Sequence, residues 1–259
     1  MEIKGDKGID LKGKLVIITG GTGAIGRVIV RTLAGYGADV AINYFSNEKL
    51  ANQLTDEVKA MGRHAMAVQA DVTDLNAVME MRDKVKEKMG SPDIVINNAM
   101  TKVNWKSVLE SGIEDYQAQF MNSVIHTVSM AKAFIPDMME KRYGRFIGLN
   151  TESIMLCNPK SSTYVAGKRG MDGVMRVLAK EVGEYGITVN QVAPGWTVTE
   201  RTNTEGTTSP EEYIKRVPLK RRGTDRDIAN VVAFVASDLA DFITGAYIPV
   251  SGGIVMPCT

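Results

Sequence analysis

The run Leu15-Val16-Ile17-Ile18-Thr19-Gly20-Gly21-Thr22-Gly23-Ala24-Ile25-Gly26 constrains this chain more than any other stretch. Its four leading apolar residues, mostly β-branched, read as a strand buried on both faces. A glycine turn follows. Ile25, Val28, Ile29, Thr32, Leu33 and Tyr36 then fall on one side of a helix. Strand, glycine turn and helix in that order build a phosphate cradle. Glycine lets the backbone approach an anion closely, and the first N–H groups and the dipole of the helix face it. A tight strand–helix connection without a ligand uses glycine too, so the context carries the argument.

The rest of the chain extends this beginning. Asp39–Tyr44, His64–Ala70, Ile94–Ile96, Phe146–Leu149 and Ile187–Val189 read as further strands. Helical stripes separate them: Leu50, Leu54, Val58 and Met61; Leu75, Val78, Val85 and Met89, capped by Thr73 or Asp74; a long region over 113–139; and 162–183. Ile228–Ala236 is helical again, and Ala246–Val250 reads as a last strand whose Pro249 suits an edge. Strands alternating with helices predict an α/β fold with a doubly wound parallel sheet, Rossmann-like. Residues 1–13 read as an N-terminal arm and 14–259 as a single domain. The polar, non-periodic stretch 200–222 reads as a loop over the substrate or as a solvated connection. Lys220-Arg221-Arg222 reads as a solvated face or a phosphate contact.

Composition narrows the function. A net charge of +1 without long blocks of one sign argues against nucleic acid. Cys157 and Cys258 suggest neither a disulfide framework nor a zinc site. No apolar run approaches a membrane span and no signal peptide opens the chain, so no membrane partner and a cytoplasmic location are expected.

Tyr164 and Lys168 lie four apart near a helix start and share a face. A free tyrosine titrates near pH ~10. A nearby ammonium favours the phenolate. Lowering that pKa by ~2–3 units takes roughly 3–4 kcal/mol of differential interaction.

Across 13–253 the chain resembles the short-chain dehydrogenase/reductase family, in the branch of the 3-oxoacyl-carrier-protein reductases. The matching pieces, in order, are the Thr19–Gly26 loop, Asp71-Val72, Asn97-Asn98-Ala99, Tyr164-x-x-x-Lys168, Asn190-x-x-x-Pro194-Gly195 and Thr199. Ser237-Asp238, Ile243-Thr244-Gly245 and Gly252-Gly253 follow.

The resemblance implies a nicotinamide-dependent oxidoreductase acting on a ketone or secondary alcohol. Tyr164 would pass the proton, Lys168 would hold the nicotinamide ribose and bias the phenol, and Thr151 or Ser153 would hold the reacting oxygen. Gly20, Thr22, Gly23, Ile25 and Gly26 would cradle the pyrophosphate. Asp71 and Val72 would meet the adenine, Asn97 the adenosine side, and Asn98 and Ala99 the path beside it. Pro194, Gly195, Thr197 and Thr199 would border the nicotinamide. A steroid or polyol dehydrogenase, and a cofactor-binding protein without turnover, remain alternatives. Family members are usually tetramers, and Gly253–Met256 would suit an interface.

Four positions depart from the family pattern. Ala24 and Met100 stand for glycines and Thr151 for a serine. Ser123 stands for the asparagine whose carbonyl holds a relay water. Asn122, one residue earlier, is expected to face elsewhere. Tyr44, Ser46 and Asn47 occupy the end of the second strand, where a carboxylate would select NAD. NADP(H) is therefore favoured and NAD(H) allowed. Of two basic positions that receive an acidic carrier protein, Arg142 matches one and Tyr185 stands at the other, which leaves the substrate open.

Overall fold

The computed structural model describes residues 8–199 and 210–257. Residues 1–7 of the expected arm, residues 200–209 of the expected substrate loop, and Cys258 lie outside them. Seven parallel strands form one sheet: β1 (Leu15–Ile18), β2 (Asp39–Tyr44), β3 (Ala65–Gln69), β4 (Ile94–Asn97), β5 (Gly144–Leu149), β6 (Ile187–Pro194) and β7 (Tyr247–Val250), in the order 3-2-1-4-5-6-7. Side chains alternate across each strand, and two cores divide accordingly. Val16 and Ile18 face α1 (Ala24–Gly35), α2 (Glu48–Ala60) and α9 (Asp225–Ala236), whose Ile29, Leu33, Leu54, Val58, Ile228 and Val232 are buried there. Leu15 and Ile17 face α3 (Leu75–Met89), α5 (His126–Lys141) and α7 (Ser162–Val182), which bury Met81, Val85, Phe134, Met138, Met171 and Met175. This is the doubly wound α/β sandwich that the alternating pattern predicts.

The order reverses at β1, whose neighbours are β2 and β4. A crevice opens there beyond the carboxyl ends of the strands, the usual ligand site in such sheets. Val16 pairs with both Val40 and Ile94, so the glycine turn after β1 emerges beside Asn97-Asn98-Ala99.

Four features differ from the sequence reading. Part of the arm docks: Leu11 is buried in the α1-side core and its N–H donates to Tyr36 O at 2.9 Å. The helix expected over 113–139 is interrupted. α4 (Ile113–Phe120) passes into a π-helical turn, Met121–Ile125, before α5 begins. The stretch 200–222 holds a helix, α8 (Pro210–Arg216), with Pro210 and two glutamates in its first turn. The basic triplet is engaged within the chain. Lys220 donates to Lys215 O, Arg221 grips Asp227 at 2.7 and 3.0 Å, and Arg222 donates to Trp196 O and Thr197 O. A short helix, α6 (Ser153–Leu156), follows β5.

Candidate active site

The glycine loop is braced from β4. Thr19 Oγ1 accepts the N–H groups of Asn98 (2.9 Å) and Ala99 (3.1 Å). Asn98 Nδ2 donates to Thr19 O (3.0 Å) and Gly20 O (2.9 Å). The Asn98 side chain, expected along the cofactor path, thus holds the loop in shape. Gly20 adopts φ +58°, and a Cβ there would stand 2.7 Å from Ala99 Cα. At Gly26 a Cβ would stand 2.5 Å from Gly20 O and 2.8 Å from Asn98 Nδ2. Internal packing therefore demands both glycines, as the ligand-free reading allows.

Three further observations point to a bound dinucleotide. Gly23 caps α1 without a side-chain bond, and no acidic residue stands in the first turn, which leaves the positive helix end unopposed by a carboxylate of its own helix. Asn97 is buried with neither side-chain polar atom partnered, and a buried amide needs partners. Asp71 is exposed, with Oδ1 taken by Thr73 N–H (2.9 Å) and Oγ1 (2.7 Å), while Val72 is buried beside it. These residues fit a nicotinamide dinucleotide lying across the crevice, its pyrophosphate at Gly20–Gly26 with Thr22 and Ile25.

At the end of β2, Tyr44 is buried and its phenol is pushed up, first by burial and then by the charge of Glu48. Asn47 caps α2, its Oδ1 accepting Leu50 N–H at 3.1 Å. A carboxylate therefore does act at this end of the strand, supplied from the next helix.

The reacting groups gather beyond β5. Tyr164 and Lys168 occupy the first turns of α7, both buried. Burial raises the Tyr164 phenol and a hydrogen bond with Thr151 opposes it. The Lys168 ammonium donates to Leu149 O at 2.6 Å, and burial lowers its pKa to about 8. Thr151 Oγ1 donates to Ser153 Oγ (3.2 Å) and accepts Ser153 N–H (3.2 Å). The two candidate hydroxyls are thus neighbours, and Thr151 is the one that acts on the Tyr164 phenol.

A buried network absent from the sequence reading fixes this turn. Asn150 Oδ1 accepts Thr151 N–H, Asn150 Nδ2 donates to Gln191 Oε1, and Gln191 Nε2 donates to Asp172. Tyr247 donates to Thr151 O at 2.7 Å. Polar residues at strand ends carry no periodic signal, so only their meeting in space reveals them. Trp105 was equally silent: its ring meets Tyr164 edge-on, with centroids 5.8 Å apart at 74°.

The π-turn supplies the floor. Ser123 is buried, and its carbonyl, expected to hold a water, accepts Thr127 Oγ1 at 2.7 Å. A Cβ at Gly167 would approach Ser123 Oγ to 3.2 Å, so α7 rests closely on this turn. Asn122 does not face elsewhere: it is buried, with Nδ2 3.4 Å from Ala99 O. The wide turn rotates it toward the cofactor path. His126 Nδ1 donates to Asn122 O at 3.2 Å, and burial, then the Lys168 charge, lower its pKa to about 3.

Pro194, Gly195 and Thr197 leave β6 opposite this turn. Pro194 O accepts Glu152 N–H (2.9 Å), Gly195 N–H donates to Val250 O (3.0 Å) and Thr197 Oγ1 donates to Gly195 O (2.9 Å). Thr199 is buried just beyond.

Comparison with known proteins agrees with this geometry. The family profile described as "Enoyl-(Acyl carrier protein) reductase" matches residues 21–255. The chain belongs to the short-chain dehydrogenase/reductase family. Within it, the 3-oxoacyl-[acyl-carrier-protein] reductase of Staphylococcus epidermidis is 36% identical over 253 residues, covering 94% of this chain and 99% of the relative. A blue fluorescent protein from a metagenomic library, solved in complex with NADPH, is 32% identical with a TM-score of 0.88 over 95% of this chain and 100% of that one. A 7α-hydroxysteroid dehydrogenase, solved with NADH and 7-oxo glycochenodeoxycholic acid, is 28% identical with a TM-score of 0.89 over 95% of each chain. Short-chain dehydrogenase/reductases are nicotinamide-dependent oxidoreductases, and this chain is one, similar in sequence to 3-oxoacyl reductases.

Proposed function

We propose that the protein interconverts a 3-oxoacyl thioester and its 3-hydroxy form, with NADP(H) preferred. The observation that carries this reading is the buried Tyr164 phenol under the influence of the Thr151 hydroxyl, with Lys168 one turn along α7. The bound nicotinamide supplies the hydride in reduction and takes it up in oxidation. Thr151 holds the carbonyl oxygen by a hydrogen bond. Tyr164 gives that oxygen its proton in reduction and receives it in oxidation. The phenol, raised by burial, is kept protonated and so serves first as an acid. Lys168 would hold ribose hydroxyls of the cofactor, and Asn122, Ser123 and His126 shape the floor of the site. Trp105 and Trp196 give the substrate apolar walls.

The preference for NADP(H) rests on Tyr44, Ser46 and Asn47 at the end of β2, and on the NADPH bound to the metagenomic relative. Glu48 keeps that preference modest. The steroid dehydrogenase relative favours a steroid as the second reading. Arg142, expected to meet a carrier protein, donates to Glu184 O at 2.7 Å, and Tyr185 takes the other basic place. A thioester on a small carrier therefore fits this reading better than one requiring a basic docking pair.

No helix of the described residues is long and apolar enough to cross a membrane. The exposed apolar residues Phe120, Met121 and Val177 on α4, the π-turn and α7, and Met256 near the end, support a homotetramer. The test is turnover of 3-oxoacyl thioesters, 7-oxosteroids and keto-polyols with each cofactor. Turnover of a steroid with thioesters inert reverses the substrate reading. Cofactor binding with no turnover in any panel member leaves the non-catalytic alternative.

A further inference from the structure

A buried carboxylate stands between the two hydroxyls of the reactive turn. Glu152 is 5% exposed, flanked in sequence by Thr151 and Ser153. Its oxygens accept the hydroxyl of Tyr213, from α8, at 2.9 and 3.1 Å. The same hydroxyl accepts Trp196 N–H at 2.9 Å. The Tyr213 and Trp196 rings meet edge-on, 5.3 Å apart at 84°. Arg222 lies 4.1 Å from the Trp196 ring. Gly195 admits the arrangement: a Cβ there would stand 2.7 Å from both Glu152 Oε2 and Tyr213 Oη.

A buried carboxylate is costly unless hydrogen-bonded. Here it takes a neutral hydroxyl from α8, which is itself held by the Trp196 N–H. Among the described residues no basic side chain bonds to it, although Arg216 acts on it from α8 through space. An apolar residue would pack this junction without that cost. A carboxylate adds direction. It accepts only, so the Tyr213 hydroxyl must turn its proton inward, which leaves its oxygen to accept the Trp196 N–H.

We propose that Glu152 and Tyr213 form a positioning clasp that sets the Pro194–Thr197 segment and α8 against the turn carrying Thr151. The clasp touches none of the reacting atoms. It fixes the spacing between the segment bordering the nicotinamide and the Thr151–Tyr164 pair, so its loss misplaces the transferring carbon. This inference rests on the oxidoreductase reading given above.

The experiment compares Glu152→Gln, Tyr213→Phe and the double variant in the full chain. Steady-state kinetics, cofactor titration, melting temperature and amide exchange at Trp196 are measured for each. Tyr213→Phe keeps the ring stack and removes one oxygen. It should lower kcat/KM by ~10-fold while cofactor Kd stays within ~3-fold, with the double variant no worse than the worse single, as for groups acting as one unit. Trp196 amide exchange should accelerate in both singles. Losses that multiply in the double variant overturn the clasp. So does Tyr213→Phe with unchanged kcat/KM and Trp196 exchange, even if Glu152→Gln fails to fold. If the wild type turns over no substrate, the oxidoreductase reading fails, and Trp196 exchange alone then decides whether the clasp exists.

Discussion

Lys168 Nζ donates to the main-chain oxygen of Leu149 at 2.6 Å, tying the lysine end of the Tyr-x-x-x-Lys pair to the last residue of β5. The ammonium is thereby fixed two residues before Thr151. Burial brings its pKa from 10.5 to about 8, so it loses its charge as pH rises through that value. Cofactor affinity should fall over the same range as the donor of three N–H bonds becomes a neutral amine. Fluorescence titration of cofactor between pH 6 and pH 10 checks this, and Lys168→Met should abolish the dependence.

Tyr164→Phe removes the proton-carrying oxygen alone. The rate should drop by at least ~10²-fold, the usual scale for a general acid, with cofactor binding retained. Thr151→Val should cost far more activity than Ser153→Ala, because Thr151 is the hydroxyl that lowers the Tyr164 phenol against its burial. The reverse ranking moves that role to Ser153.

The strand–glycine–helix start, the parallel sheet and the Tyr164–Lys168 spacing were legible because each is local and periodic. The π-turn was not, since no residue type announces an extra residue in a helical turn, and missing it turned Asn122 the wrong way. The Glu152–Tyr213 bond spans 61 positions, a separation that no local pattern reports. Asn98 was expected along the cofactor path, and no local pattern reports that its Nδ2 also braces the glycine loop through Thr19 O and Gly20 O. α8 did carry signals, with Pro210 first, glutamates next and Lys215 and Arg216 last. A polar, glycine-bearing run before it concealed them.

Asn122→Ala should therefore harm activity at least as much as Ser123→Ala. It removes a buried amide directed at Ala99 O, whereas the Ser123 carbonyl, held by Thr127, survives the loss of its own hydroxyl. Kinetics of the two variants at several pH values decide the order.

His126 makes stability depend on pH. Its pKa is 6.5 when unfolded and about 3 when folded. Between those values the unfolded chain holds the extra proton. Stability is thus complete above pH ~6.5 and is lost as pH falls toward ~3, on the order of 4–5 kcal/mol in total. Urea unfolding from pH 7 to pH 4.5 should show this slope, and His126→Gln should flatten it.

Glu48 opposes a phosphate at the end of β2. Glu48→Gln should raise the NADPH-to-NADH ratio of kcat/KM by ~2–5-fold, the scale of one exposed charge pair. An unchanged ratio would place the 2′-phosphate away from α2.

The π-turn at Met121–Ile125 also lets one rod of chain serve two masters. An extra residue in a turn advances every later side chain by about 100°. Phe120 and Met121 look outward, whereas Met130, Phe134 and Met138 look into the sheet. Straightening the turn by deleting one residue would swing the second set out of the core while the first kept its heading. The bend beneath Lys168 is therefore also the joint that phases an outer surface against the interior, and the two could not drift apart in evolution without passing through it.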